Sequence, residues 1–143
     1  MSETSFSSFK TTEDKTNRIL HEIEQLNEWS KEQRTQSYEA LRAVLHALRD
    51  RLPVNEAAQL GAQLPMLVRG IYYTGWNPSA VPMKMSHDEF MERVEKSLGY
   101  DFDGDTGELV DAVLIALRSH FITDGEWDDV MSVLPKELAD ALP

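Results

Sequence analysis

Residues 43–49 read AVLHALR and residues 112–118 read AVLIALR, so six of the seven positions are identical at an offset of 69. The dipeptide Leu-Pro then recurs at positions 64–65 and 134–135, at an offset of 70. Because the second agreement does not depend on helix composition, we interpret the pair as an internal duplication of one structural unit. The alternative is a chance likeness between two helices rich in leucine and alanine.

Apolar residues around both copies recur with the period of an α-helix. In the first copy they are Tyr38, Leu41, Leu45, Leu48 and Leu52, and in the second they are Val110, Leu114, Leu117 and Phe121. Steps of three and four residues place each set on one helix face, which predicts that this face is buried. Short alternating runs typical of strands are missing from the sequence. The patterns therefore predict an all-α fold.

The chain divides into two predicted units of four helices each, about eight helices in a single compact, bundle-like domain. We expect a disordered tail over residues 1–12, a first unit over 13–73, a proline-bearing linker over 74–85 and a second unit over 86–143. The first helix is expected to begin at Thr12 or the next residue. We expect the two units to share one core, with two stacked solenoid repeats as the alternative.

Several residues predict where the helices begin and end. Pro53 should end the long helix of the first unit, because proline disfavours the helical conformation in the residue before it. Asn55 can cap the short helix that follows, and Pro65 suits the first turn of the next one. Residues 86–89 read SHDE, a capping box that begins the second unit. Thr106 can cap the second unit's long helix.

Composition and charge limit the classes of function. The net charge is −11, and residues 86–143 alone have four basic and fifteen acidic residues. This acidity disfavours binding to nucleic acid or to anionic membrane surfaces. The sequence has no apolar run of about 18 residues that could span a membrane. The lack of cysteine excludes disulfides, and no secretory signal is evident, so we expect a cytoplasmic location.

Three segments resemble a known family. They are residues 41–52 (LRAVLHALRDRL), residues 62–65 (AQLP) and residues 69–78 (RGIYYTGWNP), and parts of residues 89–94 and 133–138 follow the same pattern. On these motifs the chain resembles the bacterial family called domain of unknown function 2267, over roughly residues 14–143. The resemblance implies a duplicated all-helical fold in a bacterial cytoplasmic protein. It implies no activity and no catalytic residues.

The first candidate binding site is the segment RGIYYTGW at residues 69–76. It brings together Arg69, Tyr72, Tyr73 and Trp76, and arginine and aromatic residues are enriched at binding hot spots. We predict that these four side chains bind a partner chain. The alternative is that Tyr72 and Trp76 fold back to seal the gap between the units, with Arg69 paired to an acidic residue.

The second candidate is the acidic loop DFDGDTGE at residues 101–108, which resembles the start of an EF-hand calcium loop. Asp101, Asp103 and Asp105 could supply oxygen ligands, but the twelfth loop position is Ala112, where the motif needs a bidentate glutamate. We therefore favour an acidic loop that stabilises the next helix N-terminus. The four histidines show no metal-ligand spacing, so we expect no bound metal and no cofactor.

No nucleophile elbow, phosphate-binding loop or dinucleotide fingerprint is present in the sequence. We therefore predict no catalytic residues and a non-catalytic protein-interaction or scaffold module, whose partner is another protein or a second copy of the chain. A ligand- or metal-sensing helical module is the alternative, and an enzyme of unknown class is third. Nucleic acid and membrane are not expected partners.

Overall fold

The computed structural model describes residues 6–143, which form eight α-helices and, within that range, no β-strand. The helices are α1 (Ser7–Leu26), α2 (Arg34–Arg51), α3 (Val54–Ala62), α4 (Met66–Tyr73), α5 (His87–Lys96), α6 (Thr106–His120), α7 (Asp124–Val133) and α8 (Lys136–Ala141). Short 3-10 turns lie at Lys31–Gln33 and Pro78–Ala80. The predicted all-α fold of about eight helices is confirmed.

Helix α1 begins earlier than the sequence predicts. It starts at Ser7, within the predicted tail, while residues 1–5 of that tail lie outside the described residues. A tertiary contact holds the early turns, because the Leu67 backbone N–H on α4 donates to the Thr12 hydroxyl at 2.8 Å. The helix ends at Leu26, and Glu28 takes a left-handed backbone conformation with φ of 59°. Packing against α4 therefore extends α1 beyond its local sequence signals.

The helix caps agree with the sequence only in part. Ser86 accepts from the Glu89 backbone N–H at 3.2 Å, and the Glu89 side chain accepts from the Ser86 N–H at 2.9 Å, which forms the predicted capping box. The predictions for α3 and α6 are wrong. Helix α3 begins one residue before Asn55 with no side-chain cap. Helix α6 is capped by Asp105, whose carboxylate accepts from the Glu108 N–H.

The two halves of the chain, α1–α4 and α5–α8, pack against each other through several pairs of helices. Helix α1 packs on α6, and α2 packs on α5, while α2 also contacts α6 and α3 contacts α7. The inward faces of all eight helices contribute to one continuous apolar core. Leu45 and Leu114 are both buried in it. The halves thus share one core, as expected, and the duplication itself stays a prediction.

A buried ionic cluster joins the halves beside this core. The Asp50 carboxylate on α2 accepts from the Arg49 guanidinium at 2.8 Å and from Arg93 on α5. The Asp50 backbone carbonyl also accepts from the Met83 N–H at 2.8 Å, in the segment that connects the halves. Because Arg49 and Asp50 are both buried, this cluster places α5 and the connecting segment against α2.

Candidate functional site

Two of the four predicted binding residues, Arg69 and Tyr72, are bonded to backbone carbonyls on or next to α3, although Arg69 is exposed to solvent. Tyr72 is fully buried, and its hydroxyl donates to the Ala57 carbonyl on α3 at 2.7 Å. The Arg69 guanidinium donates to the carbonyls of Gly61 at 3.0 Å and Leu64 at 2.8 Å, so it satisfies the C-terminal end of α3. Tyr72 is therefore not available to a partner, and Arg69 is bound to carbonyl groups instead of the acid that the alternative interpretation expected.

The other two residues, Tyr73 and Trp76, are half-buried. The ring of Tyr73 lies 5.0 Å from that of Tyr72 and 5.3 Å from that of Trp76, measured between centroids. Tyr73 also lies directly over Gly61, where a Cβ atom would collide with the phenol. The Tyr72 and Tyr73 rings meet edge to face, and the Trp76 ring is tilted against Tyr73. Gly61 on α3 leaves the space that Tyr73 occupies.

Side chains of α2 hold the C-terminal end of α4. His46 Nε2 lies 2.7 Å from the Ile71 carbonyl oxygen, and Arg49 donates to the carbonyls of Tyr72 and Thr74, both at 2.8 Å. Burial lowers the pKa of His46, so the imidazole is neutral near pH 7 and donates from Nε2. These bonds satisfy carbonyls that a helix end leaves without partners. They fix which face of α4 points outward.

The outward face of α4 forms one wall of an apolar groove, which we call the α1–α2–α4 groove. It has a volume of about 580 Å³. It is lined by Phe9, Thr12 and Glu13 of α1, Tyr38 and Arg42 of α2, and Met66, Leu67, Gly70, Ile71 and Thr74 on or next to α4. The predicted segment therefore does border a surface site, but largely through residues other than the four predicted ones.

Large apolar side chains in this groove are exposed to solvent. The exposed fractions are 52% for Phe9, 37% for Tyr38, 56% for Met66 and 44% for Leu67. Apolar side chains gathered on one exposed surface are typical of binding sites. Tyr38 was predicted to be a core residue, and that prediction is wrong because the position lies one turn beyond the buried part of the α2 stripe.

The rim of the groove is polar and fixed. Arg42 donates to the Glu39 carboxylate at 2.6 Å and to the Ser97 carbonyl, at the end of α5, at 2.5 Å. Glu13 on α1 lies at the rim as well. A polar rim around an apolar centre is the usual anatomy of a protein interface.

A second unusual feature, which the sequence analysis did not single out, lies where α3 meets α7. Glu56 and Glu126, each the third residue of its helix, are buried with exposed fractions of only 6% and 9%. Burial, then a hydrogen bond with Glu56, raises the pKa of the Glu126 carboxyl to about 8. In the sequence, Glu56 and Glu126 are 70 positions apart, which is also the offset between the two Leu-Pro dipeptides. This shared offset is the signal by which the pair could have been found.

The acidic loop at residues 101–108 caps the next helix, as the sequence favoured, and the alternative of a calcium loop gains no further ligands from its described surroundings. Asp101, Asp103 and Asp105 are exposed, and Asp105 caps α6. Within residues 6–143, no group of three or more His, Asp or Glu side chains has a geometry suited to a metal ion. His120 bonds to Glu22 at 2.7 Å, which adds another contact between α6 and α1.

Comparison with known proteins gives a family and no activity. Across the described part of the chain, none of the helices has the length and apolar character needed to cross a membrane. A search of curated proteins finds no match. The model of one family, described as "Uncharacterized conserved protein (DUF2267)", matches residues 16–141. This match spans nearly all of the helical domain, and the chain therefore belongs to the DUF2267 family.

Proposed function

We propose that this chain is a non-catalytic protein-interaction module whose α1–α2–α4 groove binds an apolar helix face of a partner protein. The observation that carries the proposal is the group of exposed Phe9, Tyr38, Met66 and Leu67 side chains on a groove with fixed walls. Grooves between helices bind amphipathic helices through apolar side chains spaced three and four residues apart. The binding surface is thus the outer face of α4, not the buried Tyr72.

Comparison of the two halves supports a functional role for the apolar surface. At an offset of 70, Met66 and Leu67 of α4 correspond to Lys136 and Glu137 of α8, which are also exposed. The second half folds with charged residues at these positions, so apolar residues are not needed there for the core. The exposed parts of the Met66 and Leu67 side chains do not contribute to folding, but they contribute to affinity when a partner buries them.

The groove also favours a partner chain over a small enclosed ligand. Its lining side chains are open to water, with more than a third of each of Phe9, Tyr38, Met66 and Leu67 exposed. Small-molecule sites usually enclose most of the ligand surface. The lack of cysteine in the sequence is consistent with the cytoplasmic location that we also propose.

The test is photo-crosslinking in the cells that naturally make the protein. A crosslinking phenylalanine analogue replaces Leu67 in one strain and Glu137, the corresponding α8 residue, in another. We expect a discrete protein adduct from position 67 and none from position 137. The double variant Met66→Lys/Thr74→Lys, tested with the probe at position 67, should lose the adduct because it places two charges in the groove.

The matched control is Ile115→Lys, which changes an exposed apolar residue outside the groove. It should leave the adduct from position 67 intact. All variants should keep the unfolding free energy of the parent within about 0.5 kcal/mol, since the changed side chains are exposed. Identical adducts from positions 67 and 137, or an adduct that survives the two groove lysines, would contradict the proposal. An adduct with a second copy of the chain would identify self-association as the interaction.

A further inference from the structure

Two buried carboxylic acids, Glu56 on α3 and Glu126 on α7, belong to helices that pack against each other. Glu56 and Glu126 are more than nine-tenths buried, and a hydrogen bond with Glu56 adds to the burial that raises the pKa of the Glu126 carboxyl. One oxygen of each side chain, Oε2, is buried and has no N–H or O–H donor among the described residues. A buried acceptor without a donor is strongly unfavourable. A proton kept on one carboxyl would supply the missing donor.

The position of the two acids explains why one negative charge is tolerated there. Each glutamate is in the first turn of its helix, where the helix dipole favours an anion. Helix α7 is further capped by Thr123, which accepts from the Glu126 backbone N–H at 3.2 Å. The N-terminal ends of α3 and α7 together stabilise a single negative charge that the hydrogen-bonded pair shares. They do not offset the repulsion between two carboxylates in contact.

The surrounding groups give no cation to the pair. On α7, the Asp129 carboxylate raises the pKa of Glu126 further. From α4, Tyr72 lies close enough to both glutamates for their charges to raise its own pKa, and Tyr73 lies beside it. The Tyr72 hydroxyl already donates to the Ala57 carbonyl, so it does not serve as the donor to the acids.

Arginine does not neutralise the second charge either. The positive charge of Arg49, on α2, acts to lower the pKa of Tyr72. However, its guanidinium is already bound to Asp50 and to two carbonyls at the end of α4. Arg118 lies over the Trp127 ring, 4.9 Å from its centroid, on another side of α7. The proton is therefore the only positive charge that the described surroundings place between Glu56 and Glu126.

We propose that Glu56 and Glu126 hold one proton between them and form a proton-dependent clasp that fastens α3 of the first half to α7 of the second. When the proton leaves, both carboxyls are charged, their mutual hydrogen bond is lost and the α3–α7 contact loosens. The pair releases its proton at mildly alkaline pH, because burial and the neighbouring acid keep the proton bound through neutral pH.

The first test detects the proton by infrared spectroscopy. Infrared spectra of the full-length protein in D₂O should show the carbonyl stretch of a protonated carboxyl group at pD 6.5, where ordinary glutamates are ionised. The band should lose most of its intensity as the pD is raised through the pKa of about 8. The absence of such a band at pD 6.5 would overturn the proposal. Glu126→Gln should abolish the band, while Glu137→Gln, which changes an exposed glutamate, should leave it in place.

The second test detects the bound proton through the pH dependence of the unfolding equilibrium. Between pH 5 and 8 the folded wild type holds a proton that its unfolded chain has released, so its unfolding constant should rise about tenfold per pH unit relative to that of Glu126→Gln. Amide exchange in α3 and α7 at pH 9 should be faster in the wild type than in Glu126→Gln, whose neutral amide keeps a donor. Parallel stability curves and equal exchange would refute the clasp.

Discussion

Arg49 should contribute far more to stability than Arg118, although the two occupy the same position of the repeated heptapeptide. The guanidinium of Arg49 is buried and makes three bonds, to the Asp50 carboxylate and to the carbonyls of Tyr72 and Thr74, each at 2.8 Å. Arg49→Met removes all three. Breaking a buried ion pair costs about 3–5 kcal/mol, and Asp50 retains Arg93, so we expect a loss of about 3–4 kcal/mol, near the lower end.

The matched control is Arg118→Met. The Arg118 guanidinium is partly exposed, lies 3.8 Å from an exposed Asp124 carboxylate and stacks over Trp127. Exposed ion pairs and exposed cation–π contacts contribute about 1 kcal/mol or less. Arg49→Lys should recover little of the stability that Arg49→Met loses. One ammonium group cannot reach the three acceptors that the planar guanidinium bonds at once.

Urea denaturation at pH 7, followed by circular dichroism, measures these differences. A domain of this size usually has about 5–15 kcal/mol of stability, so the Arg49 variant should still fold. The urea concentration at its unfolding midpoint should fall strongly, while the dependence of the unfolding free energy on urea stays unchanged. The Arg118 variant should unfold at nearly the same urea concentration as the parent. If Arg49→Met lost no more stability than Arg118→Met, the reasoning that the α2–α4 bonds fix the outer face of α4 would fail.

Three further predictions concern the core, a titrating histidine and a helix cap. Leu45→Ala and Leu114→Ala should each cost about 2–5 kcal/mol in chemical denaturation, because both side chains are almost completely buried, and losses near zero would contradict the shared core. Burial lowers the folded pKa of His46 below its ordinary 6.5; below that pH the unfolded chain therefore binds the additional proton and stability falls with falling pH. His46→Gln should remove this part of the fall, and an unchanged acid limb of the stability curve would exclude it. Ser86→Ala should cost about 0.5–2 kcal/mol in thermal unfolding by removing the α5 capping box; a loss matching that of the mid-helix Ser119→Ala would show that the cap contributes nothing.

The sequence by itself determined the class of fold and the buried stripes. In residues 41–48, the helical period places Leu41, Leu45 and Leu48 on one face whatever they pack against, because the period of an α-helix is local. The capping box at Ser86 is also a local signal, since it involves atoms within four residues. Family membership likewise follows from the linear order of residues 16–141.

The candidate site was decided by tertiary structure, because it depends on which side of a helix meets a neighbour. The sequence pointed to residues 69–76 as a binding segment, yet it could not show that Tyr72 faces α3 while Met66 and Leu67 face water. That orientation is set by bonds from α2 to carbonyls 23 and 25 residues away in the chain. The pair formed by Glu56 and Glu126 is separated by 70 positions and exists only because α3 packs on α7.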